Sequence, residues 1–563
     1  MAEFSYYLER VLNTLPERED RPFLNFAVEE VEEKKILVVE APTGYGKSLI
    51  SQTIALRSLQ EGLKCLVAFP LRTLLEDQLF KFRMVLERLG FDKESVGARY
   101  MHYPESRYLI RPITLTTVDT LSLTLFGIAP EDLEVAFKHY DGTLTGSMGH
   151  YLFSRAMVLL SDIVLDEVHL LADTTKSLNF LVALIWIIAS HGGRGVFLSA
   201  TIPNAFEKIL RRECSEVGLD FARFSGKPDE NFLEERRRKR YKVVLERLGG
   251  DKFEKIFSWL KEGMRDGFRR SVVVFNTAHE AIEFYKMVKN NLGIPSDKIL
   301  LLHSRFAAKD REAKMMKVEK LKESREYLII STQVVEAGVD ISSDLFISDL
   351  APAASLIQRA GRFLRYKGEN EGMIYLWYEN EDGEKYKGIY DATLLERTLS
   401  FLNNKDVRFH DPESYQHLLD SVYTEDTFRL DPHQIRRLIS LSNTLENTDE
   451  VIRTFIQLEG SFVRDETIVP AIPHSLPYEN ISPIEAFAVP LSLSTIVKLR
   501  PKEVLVKRDE GYQKDSAEVV WSTRRRDIWR QIFSPKFVAF IVEGEYDEEL
   551  GLRWEHEKGS QLL

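Results

Sequence analysis

The sequence predicts an α/β protein with two parallel β-sheets in tandem, followed by a mixed or mainly α C-terminal part. From about Ile36 onward, short β-branched or aliphatic runs alternate with longer helix-like stretches, which is the pattern of a parallel sheet covered by helices. A second series of such runs begins near Tyr241. At roughly 150 residues per domain, the chain of 563 residues corresponds to about three or four domains.

The apolar runs place the strands of each sheet. The first series is Ile36–Glu40, Cys65–Phe69, Ile113–Thr116, Ile163–Asp166 and Val196–Ser199. After the run near Tyr241, the second series is Val272–Phe275, Ile299–His303, Tyr327–Ser331, Leu345–Asp349 and Met373–Trp377. Between the two series, the charged stretch Glu234–Lys242 predicts an exposed connection. We therefore expect domains at 1–235, 236–395 and 396–563, the last an accessory lid or docking domain.

The composition is that of a folded globular protein. Apolar residues make up 44% and charged residues 29% of the chain, which excludes collagen-like, mucin-like and wholly disordered polypeptides. The longest apolar run, Phe180–Ala189, is about half the roughly 20 residues that a membrane-spanning helix needs, so it predicts a buried helix. Residues 1–20 mix charged and apolar side chains without a secretory signal. The expectation is a cytoplasmic protein with no membrane partner.

Cysteine content and net charge limit the choice of partners further. The two cysteines, Cys65 and Cys214, have no paired-ligand spacing, so we predict core thiols and neither a disulfide framework nor a zinc site. The net charge of -11 gives no overall attraction for a polyanion. Binding of nucleic acid would therefore depend on local patches and backbone amides.

A phosphate-binding loop is predicted where the first strand meets the following helix. The stretch Ala41-Pro-Thr43-Gly44-Tyr-Gly46-Lys47-Ser48 follows a buried-strand pattern and opens an amphipathic helix. The two glycines let the backbone amides turn toward a polyphosphate, Lys47 reaches the β- and γ-phosphates, and the Ser48 hydroxyl can bind magnesium. The sequence thus predicts ATP and Mg²⁺ as ligands, against the alternative of a chance glycine turn.

An acidic pair ends another predicted strand of the first sheet. In Ile163-Val-Leu-Asp166-Glu167-Val-His169, the two carboxylates follow the apolar run directly. Since a strand terminus projects its last residues over the sheet edge, Asp166 can hold the magnesium while Glu167 polarises the attacking water. The alternatives are a solvated turn for the carboxylates and a packed or surface position for His169.

With these motifs, the chain resembles the superfamily 2 helicases. Its Asp-Glu-Val-His tetrad is followed by Ser199-Ala-Thr201 at a strand end. Further matching segments are Phe275-Asn-Thr277, Leu302-His-Ser-Arg305, Ser331-Thr-Gln-Val-Val-Glu-Ala-Gly-Val-Asp340 and Gln358-Arg-Ala-Gly-Arg-Phe-Leu-Arg365. Within the superfamily, the wording is similar to the CRISPR-associated helicase of type I systems, over about Arg21 to Trp377. The resemblance implies two tandem RecA-like domains.

The last of these segments carries three arginines. Arg359, Arg362 and Arg365 have the i, i+3, i+6 spacing of one helix face, so guanidinium groups of the second sheet could face a nucleotide bound to the first. The resemblance implies that Arg362 and Arg365 contact the γ-phosphate and adds Gln358 to the catalytic set. The alternative is an exposed basic helix face.

The resemblance also implies roles for the remaining motif residues. Gly338 and Asp340 would contact the nucleotide, and His169, Ser199 and Thr201 would couple its hydrolysis to movement. The implied nucleic-acid contacts are Arg72, Thr117, Asp119, Asn276, Thr277, Ser304, Arg305, Thr332 and Gln333. Ordinary helix capping is the alternative for Thr117 and Asp119. Asn25 stands where the family often has a glutamine that selects adenine.

The predicted function is an ATP-driven DNA helicase or translocase that serves a guide-RNA effector complex and acts on single-stranded DNA. The phosphate loop starts at residue 41 and no histidine precedes His102, so we expect cleavage by a separate HD nuclease subunit. His410-Asp411 shows no ligand spacing with the later histidines. The alternatives are an RNA or repair helicase and an ATP-switched structural subunit of a ribonucleoprotein. A basic and aromatic stretch, Arg524–Arg526 between Trp521 and Trp529, suits either nucleic-acid binding or a protein interface, with a solvated charged helix end as the alternative.

Overall fold

The structure is a computed structural model that divides the chain into two compact units. It describes residues 3–16, 21–100, 105–128, 133–140, 142, 149–226, 229–379, 389–443, 448–475, 484–508, 511–517, 532 and 536–554. Of these, the first unit takes those within 1–232, 424–467 and 529–535, and the second takes those within 233–423, 468–528 and 536–563. Residues 396–563 are thus shared between the units, and the division into three domains stays a prediction.

The first unit contains a seven-stranded sheet in which the paired strands are all parallel. Its strands are β1 Ile36–Glu40, β2 Lys64–Phe69, β3 Val96–Arg99, β4 Ile113–Thr117, β5 Ser161–Leu165, β6 Gly195–Ser199 and β7 Leu219–Arg223. Their order is β3-β4-β2-β5-β6-β1-β7. The predicted strands are confirmed, whereas the two edge strands were not predicted. Gly97 interrupts the short segment of β3 and Asp220 interrupts that of β7, so neither has a long apolar run.

Helices flank these strands along the chain. They are α1 Phe4–Leu12, α2 Pro22–Glu33, α3 Lys47–Gln60, α4 Arg72–Arg88, α5 Val118–Leu125, α6 Leu133–Tyr140, α7 Gly149–Leu159, α8 Thr175–Ser190, α9 Asn204–Glu213 and α10 Glu230–Arg237. The apolar run Phe180–Ala189 lies within α8, whose first turn is capped by the Thr174 hydroxyl accepting from the Ser177 amide at 3.2 Å. Across the described ranges, we find no helix both long and apolar enough to cross a bilayer.

The second unit contains a six-stranded sheet, again with parallel pairing throughout. Its strands are β8 Arg240–Arg247, β9 Arg270–Val274, β10 Ile299–Leu302, β11 Tyr327–Ser331, β12 Leu345–Asp349 and β13 Glu371–Tyr378, in the order β10-β11-β9-β12-β13-β8. The prediction of two parallel sheets is confirmed. The charged stretch 234–242 exposes five of its nine residues, but it forms the end of α10 and the start of β8 instead of a separate linker. Its Lys239 is buried and donates to the Leu364 carbonyl.

Helices alternate with these strands and follow them, and the first two helices contribute to an aromatic core around Trp377 and Phe275. These helices are α11 Lys252–Arg265, α12 Ala278–Asn291, α13 Ala308–Glu323, α14 Ala353–Ala360, α15 Ala392–Asn404 and α16 Pro412–Val422. A Cβ atom at Gly263 would lie 2.6 Å from Leu345 Cδ2, so α11 packs against β12 only because residue 263 is glycine.

The chain then returns to the first unit with α17 Pro432–Asn443 and α18 Thr448–Gln457. The side-chain amide of Asn179 in α8 binds this segment through both its nitrogen and its oxygen. Its Nδ2 donates to Gln434 at 2.8 Å, and its Oδ1 accepts from the Asp431 amide at 2.9 Å. Beyond α18, Phe462 is fully buried, with its ring centroid 4.5 Å from that of Phe126. The returning segment is therefore part of the first unit's core.

A mixed sheet of five strands follows in the second unit. Its elements are β14 Ile468–Pro473, β15 Val489–Ser492, α19 Leu493–Leu499, β16 Glu503–Arg508, β17 Gly511–Ser516 and β18 Phe537–Val542. Only β14 and β18 pair in parallel, within the order β15-β14-β18-β16-β17. A short hairpin, β19 Glu545–Asp547 and β20 Gly551–Arg553, ends the described chain. The predicted basic and aromatic stretch around Arg524–Arg526 lies outside the described residues.

Candidate nucleotide and nucleic-acid sites

The predicted phosphate loop connects β1 to α3 in the first unit. Gly44 and Gly46 have φ angles of 79° and 107°, in the region that favours glycine. A Cβ atom at Gly46 would lie 3.1 Å from Leu49 Cδ1, so this position has both a steric and a conformational need for glycine. Thr43 and Ser48 are half-buried within this loop and the first turn of α3. The helix N-terminus gives the loop a positive end, which favours anions.

Lys47 is held within its own loop. Its side chain is buried, and its Nζ donates to the carbonyl of Ala41 at 3.1 Å. The positive charge of Lys47 also acts on Asp166 and His169. Burial raises the pKa of Asp166 and lowers that of His169, and Lys47 opposes the first change and adds to the second. The structure therefore brings the predicted phosphate ligand and the predicted acidic pair together at the carboxyl edge of one sheet.

The acidic pair follows β5 directly. Asp166 is buried, and its Oδ1 accepts from the Glu167 amide at 2.9 Å. Burial, and secondarily the Glu167 carboxylate, raise the pKa of Asp166 above its ordinary value, while Lys47 opposes this rise. Glu167 itself has a left-handed backbone, with φ 51° and ψ 46°. Such a conformation is strained for a residue with a side chain, and strain of this kind concentrates at functional sites.

His169, which lies beside the acidic pair, is hydrogen-bonded to the Ser-Ala-Thr segment after β6. His169 Nδ1 lies 3.0 Å from Ser199 Oγ and 3.4 Å from Glu167 Oε2. Ser199 Oγ donates to the Thr201 carbonyl at 3.1 Å and accepts from the Thr201 amide at 3.2 Å. Because the single Ser199 proton is used on a carbonyl, His169 Nδ1 carries the hydrogen that it shares with Ser199. Burial lowers the pKa of His169, so the ring is neutral.

The sheet order explains why these motifs meet. Strand β6 lies between β5 and β1, so Ser199 stands between the acidic pair and the phosphate loop. Parallel strands present their carboxyl ends at one edge, where α/β proteins bind ligands. The structure thus brings together all the coupling residues predicted in this unit.

Glu40, the last residue of β1, was not predicted as a site residue. Its Oε1 accepts from the Ile202 amide at 2.7 Å, and its other oxygen pairs with Arg223 of β7. Arg223 Nη2 donates in turn to the Ile202 carbonyl at 2.8 Å. This buried carboxylate fixes the segment after Thr201 to the strand that leads into the phosphate loop. In the sequence, the only signal for Glu40 was that a polar residue ends an apolar run.

Tyr45, within the phosphate loop, is also held by a residue distant in sequence. Its hydroxyl donates to Asp229 and accepts from the Phe23 amide at 3.0 Å. The Arg21 guanidinium lies 5.1 Å from the Tyr45 ring centroid, and the Phe232 ring makes an edge contact. The loop is thereby anchored on the side of α2. Asn25 of that helix is exposed.

The predicted nucleic-acid contacts of the first unit lie at the ends of β2 and β4. Arg72 begins α4, donates to Glu76 at 2.7 Å and stacks over the Tyr100 ring. Thr117 is the N-cap of α5, where its hydroxyl accepts from the Thr120 amide at 3.3 Å. Asp119 is paired with Arg464 of the returning segment. The structure thus gives Thr117 the capping role that was its alternative, and the contact roles of all three stay predictions.

In the second unit, the structure corrects the predicted arrangement of arginines. Helix α14 ends at Ala360, and Leu364 is left-handed with φ 44°, so Arg362 and Arg365 do not continue one helix face. Arg359 has 0% exposure and binds the Glu336 carboxylate at 2.8 Å. Its other donors reach Ser348 Oγ, the Asp349 carbonyl, Asn276 Oδ1 and Tyr390 Oη. Arg359 is therefore an internal structural residue.

Arg362 and Arg365 follow the end of α14. Arg362 donates to the carbonyls of Val335 and Glu336 at 3.0 and 2.9 Å. Arg365 Nε lies 3.3 Å from Asp340 Oδ1, and among the described residues its buried Nη1 has no hydrogen-bond partner. Gly338, with φ 80°, and Asp340 lie in the same turn region, while Gln358 is buried in the last turn of α14. These predicted residues share one part of the unit.

Asn276, Thr277, Thr332 and Gln333 lie at neighbouring strand ends. Gln333 Nε2 donates to the Asn276 carbonyl at 2.9 Å, and Asn276 Nδ2 donates to Leu350 at 2.7 Å. Thr277 caps α12, and Thr332 is buried. The Asn276 side chain is enclosed and holds its neighbours in place, so its contact with nucleic acid stays a prediction.

Ser304 and Arg305 follow β10 and are braced by the C-terminal hairpin. Ser304 is exposed. The Leu552 amide donates to the Arg305 carbonyl at 3.0 Å, and the Arg305 guanidinium lies 4.1 Å from the Trp554 ring centroid. His303 Nε2 lies 3.1 Å from the Leu550 carbonyl. The hairpin therefore fixes the backbone that carries these two predicted contacts.

The two cysteines and the His410-Asp411 pair, also singled out in the sequence, lie in structural environments. Cys65 and Cys214 are buried free thiols, and burial raises the pKa of Cys214 to about 12. His410 Nε2 lies 2.7 Å from the Phe363 carbonyl, and Asp411 caps α16 by accepting from the Glu413 amide. The portion of the chain that the structure describes contains no group of three or more potential metal-ligating side chains.

The fold and the site define the class: tandem parallel sheets with a phosphate loop, an acidic pair and a Ser-Ala-Thr relay, as in DEAD/DEAH-box helicases. The DEAD/DEAH box helicase family matches residues 25–209, and the C-terminal part of the CRISPR-associated nuclease/helicase Cas3 family matches residues 268–368. The chain therefore carries Cas3-like helicase domains.

Individual proteins agree with these matches. The chain is 29% identical over 333 residues to a putative CRISPR-associated nuclease/helicase Cas3 of Methanocaldococcus jannaschii, covering 56% of this chain and 39% of that protein. It is 25% identical to the CRISPR-associated nuclease/helicase Cas3 of Methanothermobacter thermautotrophicus, covering 76% and 51%. T. fusca Cas3 with ATP has the same fold, with a TM-score of 0.66, 16% identity and coverage of 98% and 70%. The chain spans about half or less of the length of these curated relatives.

Proposed function

We propose that the chain is an ATP-dependent DNA helicase or translocase that unwinds or pulls target DNA for a type I CRISPR interference complex. The observation that carries this proposal is the cluster beside the phosphate loop in which His169 Nδ1 lies 3.4 Å from Glu167 Oε2 and is hydrogen-bonded to Ser199, which in turn bonds Thr201. A site that only bound a nucleotide would not need a carboxylate connected to a neighbouring strand end.

The residues of the first unit would act on ATP in distinct ways. Lys47 would exchange its Ala41 carbonyl for the β- and γ-phosphates, since an ammonium group is a stronger partner for a phosphate than for a neutral oxygen. The Glu167 carboxylate would orient and polarise the attacking water. His169 stays neutral and donates through Nδ1 to Ser199, which would tie the side of the site next to Glu167 to the end of β6.

Magnesium fits the oxygen donors of this site. The Ser48 hydroxyl and the Asp166 carboxylate are the hard ligands that Mg²⁺ prefers. A bound ion would offset the burial that raises the pKa of Asp166. When bound, magnesium would neutralise charge that develops on the phosphates.

Arg362, Arg365 and Gln358 are the proposed γ-phosphate and catalytic partners from the second unit. Arginines in this role stabilise transition-state charge and contribute about 10³- to 10⁵-fold in related nucleotidases. Support comes from the buried Arg365 Nη1, which has no hydrogen-bond partner among the described residues. The Ser199–Thr201 relay would pass the nucleotide state to the segments that contact the strand.

The proposed partners are single-stranded DNA, a guide-RNA effector complex and a separate nuclease subunit. Curated relatives named as CRISPR-associated Cas3 proteins support the effector complex. His410 and Asp411 are committed to a backbone carbonyl and a helix cap, which argues against a metal site at this pair. Degradation of circular single-stranded DNA by the purified chain with Mg²⁺, Mn²⁺, Ni²⁺ or Co²⁺ would contradict the proposal of a separate nuclease subunit.

An RNA or repair helicase and an ATP-switched structural subunit are the competing functions. Phosphate contacts carry no sugar identity, so the DNA preference needs a direct measurement. The test is the ATPase rate without nucleic acid, with single-stranded DNA and with single-stranded RNA of equal length. We expect stimulation by DNA well above that by RNA. Stronger stimulation by RNA would favour the RNA helicase, and a rate insensitive to both would favour the structural subunit.

A further inference from the structure

Arg464, in the turn after α18, connects two segments at the carboxyl edge of the first sheet. Its Nε lies 2.8 Å from each oxygen of Asp119, and its Nη2 lies 2.8 Å from Asp119 Oδ2. The same Nη2 donates to the Pro70 carbonyl at 2.9 Å. One guanidinium group thus joins the segment after β2 to the first turn of α5.

The turn that carries Arg464 is itself anchored. Lys176 of α8 donates through Nζ to the carbonyls of Leu458 and Arg464, at 2.7 and 2.9 Å. Phe462, two residues earlier, is fully buried against Phe126. The attraction of Asp119 raises the pKa of Arg464, so its charge is permanent. The guanidinium is therefore held in place by its own backbone as well as by its partners.

The joined segments are those proposed to contact the nucleic-acid backbone. Pro70 lies two residues before Arg72, and Asp119 lies two residues after Thr117. Strands β2 and β4 are paired up to Phe69 and Thr117, so beyond that pair the sheet no longer holds the two segments together and a bridging group can. An uncompensated carboxylate at Asp119 would also repel phosphates.

We propose that Arg464 is a positioning residue for nucleic-acid binding by the first unit. It sets the distance between the two backbone-contacting segments and neutralises the Asp119 carboxylate beside them. The inference rests on the proposed function, since it presumes that a strand binds at this edge. A planar guanidinium can bind a carboxylate and a carbonyl together, whereas a lysine ammonium is a single point of charge.

The test uses the full chain and a matched control. Arg464→Gln and Arg464→Lys are compared with Arg437→Gln, because Arg437 of α17 forms a similarly half-exposed ion pair with Glu450 in the same returning segment. ATPase is titrated with single-stranded DNA, which yields the half-saturating DNA concentration and the maximal rate. The DNA-independent rate, the KM for ATP and the melting temperature are measured for each variant.

We expect both Arg464 variants to raise the half-saturating DNA concentration about tenfold, as loss of a charge-assisted contact predicts. Their DNA-independent rate and KM for ATP should stay within twofold of wild type, and Arg437→Gln should match wild type throughout. Adding Asp119→Asn to Arg464→Gln should recover part of the DNA affinity, because it removes the exposed carboxylate. A purely structural ion pair would show that recovery only together with a matching recovery of the melting temperature, whereas the positioning role predicts recovery of DNA affinity at an unchanged melting temperature.

Two results would overturn the inference. One is a half-saturating concentration for Arg464→Gln equal to that of Arg437→Gln. The other is a loss of DNA-independent rate and melting temperature that accounts for the weaker binding. If wild type responds to RNA instead of DNA, the proposed function fails and the same comparison, titrated with RNA, decides the role of Arg464. If wild type responds to neither, both proposals are wrong.

Discussion

The two parallel sheets of this chain use their carboxyl edges differently. In the first, Lys47, Asp166, Glu167 and His169 cluster at strand ends, and their polar groups are joined by few, adjustable hydrogen bonds. In the second, Arg359 is fully enclosed by hydrogen bonds within its own unit. The same architecture therefore carries the proposed reacting groups at the edge of the first sheet. At the edge of the second sheet it carries a rigidly held Arg359 close to Arg362 and Arg365.

Each edge also has one strained turn. Glu167 is left-handed with φ 51°, and Leu364 is left-handed with φ 44° between Arg362 and Arg365. The Leu364 amide donates to the Ser343 carbonyl at 2.8 Å, which holds the turn closed. In the first sheet the strained residue is the carboxylate proposed to polarise the attacking water, whereas in the second it lies between two of the proposed γ-phosphate partners. The difference indicates that substitutions at the two edges should fail in different ways.

The largest expected effect is on hydrolysis at the first edge. Lys47→Ala and Glu167→Gln should each lower the ATPase rate by at least about 10²-fold, the usual contribution of a positioned acid–base group. Glu167→Gln should still bind ATP, because the amide removes water activation but leaves the phosphate loop intact. Rates measured with and without a chelator, together with binding of a fluorescent ATP analogue, test this. Wild-type turnover by Glu167→Gln would contradict the assignment of Glu167 as the residue that polarises the attacking water.

The second edge should fail by unfolding. Arg359→Met leaves the Glu336 carboxylate buried without its partner, and such a change costs about 3–5 kcal/mol. Denaturant unfolding should therefore shift strongly for Arg359→Met. The control is Arg365→Gln, a more accessible residue, which should unfold within about 1 kcal/mol of wild type while ATP hydrolysis falls. Equal stability of Arg359→Met and wild type would contradict the structural role of Arg359.

The sequence was most informative where the signal is local. The phosphate loop and the acidic pair each lie within a few residues of one strand, so residue types and strand pattern were enough to predict them. The predicted arginine helix face was wrong because it assumed that α14 continued through Gly361. Glycine is a common helix terminator, and the helix indeed ends at Ala360.

The contacts that sequence reasoning missed join distant residues. Glu40 and Arg223 are 183 positions apart, Tyr45 and Asp229 are 184 apart, and Asp119 and Arg464 are 345 apart. No periodicity or motif spacing reports pairs of this kind. The same fact changes how the C-terminal region should be tested. Deleting it from about residue 400 would remove α17 and α18 from the first unit's core, so single substitutions are the sharper experiment.

A smaller effect is expected where the first edge transmits its state. Ser199→Ala removes the acceptor for the Thr201 amide and for His169, two buried contacts that are each worth about 1 kcal/mol. DNA-stimulated ATPase should stay within a few fold, while unwinding per ATP should fall about tenfold. Strand displacement and phosphate release measured in one sample give that ratio. A parallel loss of both activities would mean that Ser199 belongs to catalysis and not to coupling.

The last prediction concerns the acid stability of the second unit. Burial lowers the pKa of His303 and of His410 to about 3, from an ordinary value near 6.5. The unfolded chain therefore binds protons below pH 6.5 that these folded histidines refuse until about pH 3. Stability contributed by each neutral ring is full above pH 6.5 and falls by up to about 1.4 kcal/mol per pH unit across that window.

His410→Gln should make the dependence of the unfolding free energy on pH less steep between pH 6 and pH 4.5, since glutamine can donate to the Phe363 carbonyl without titrating. Identical slopes for His410→Gln and wild type would show that His410 is not held neutral.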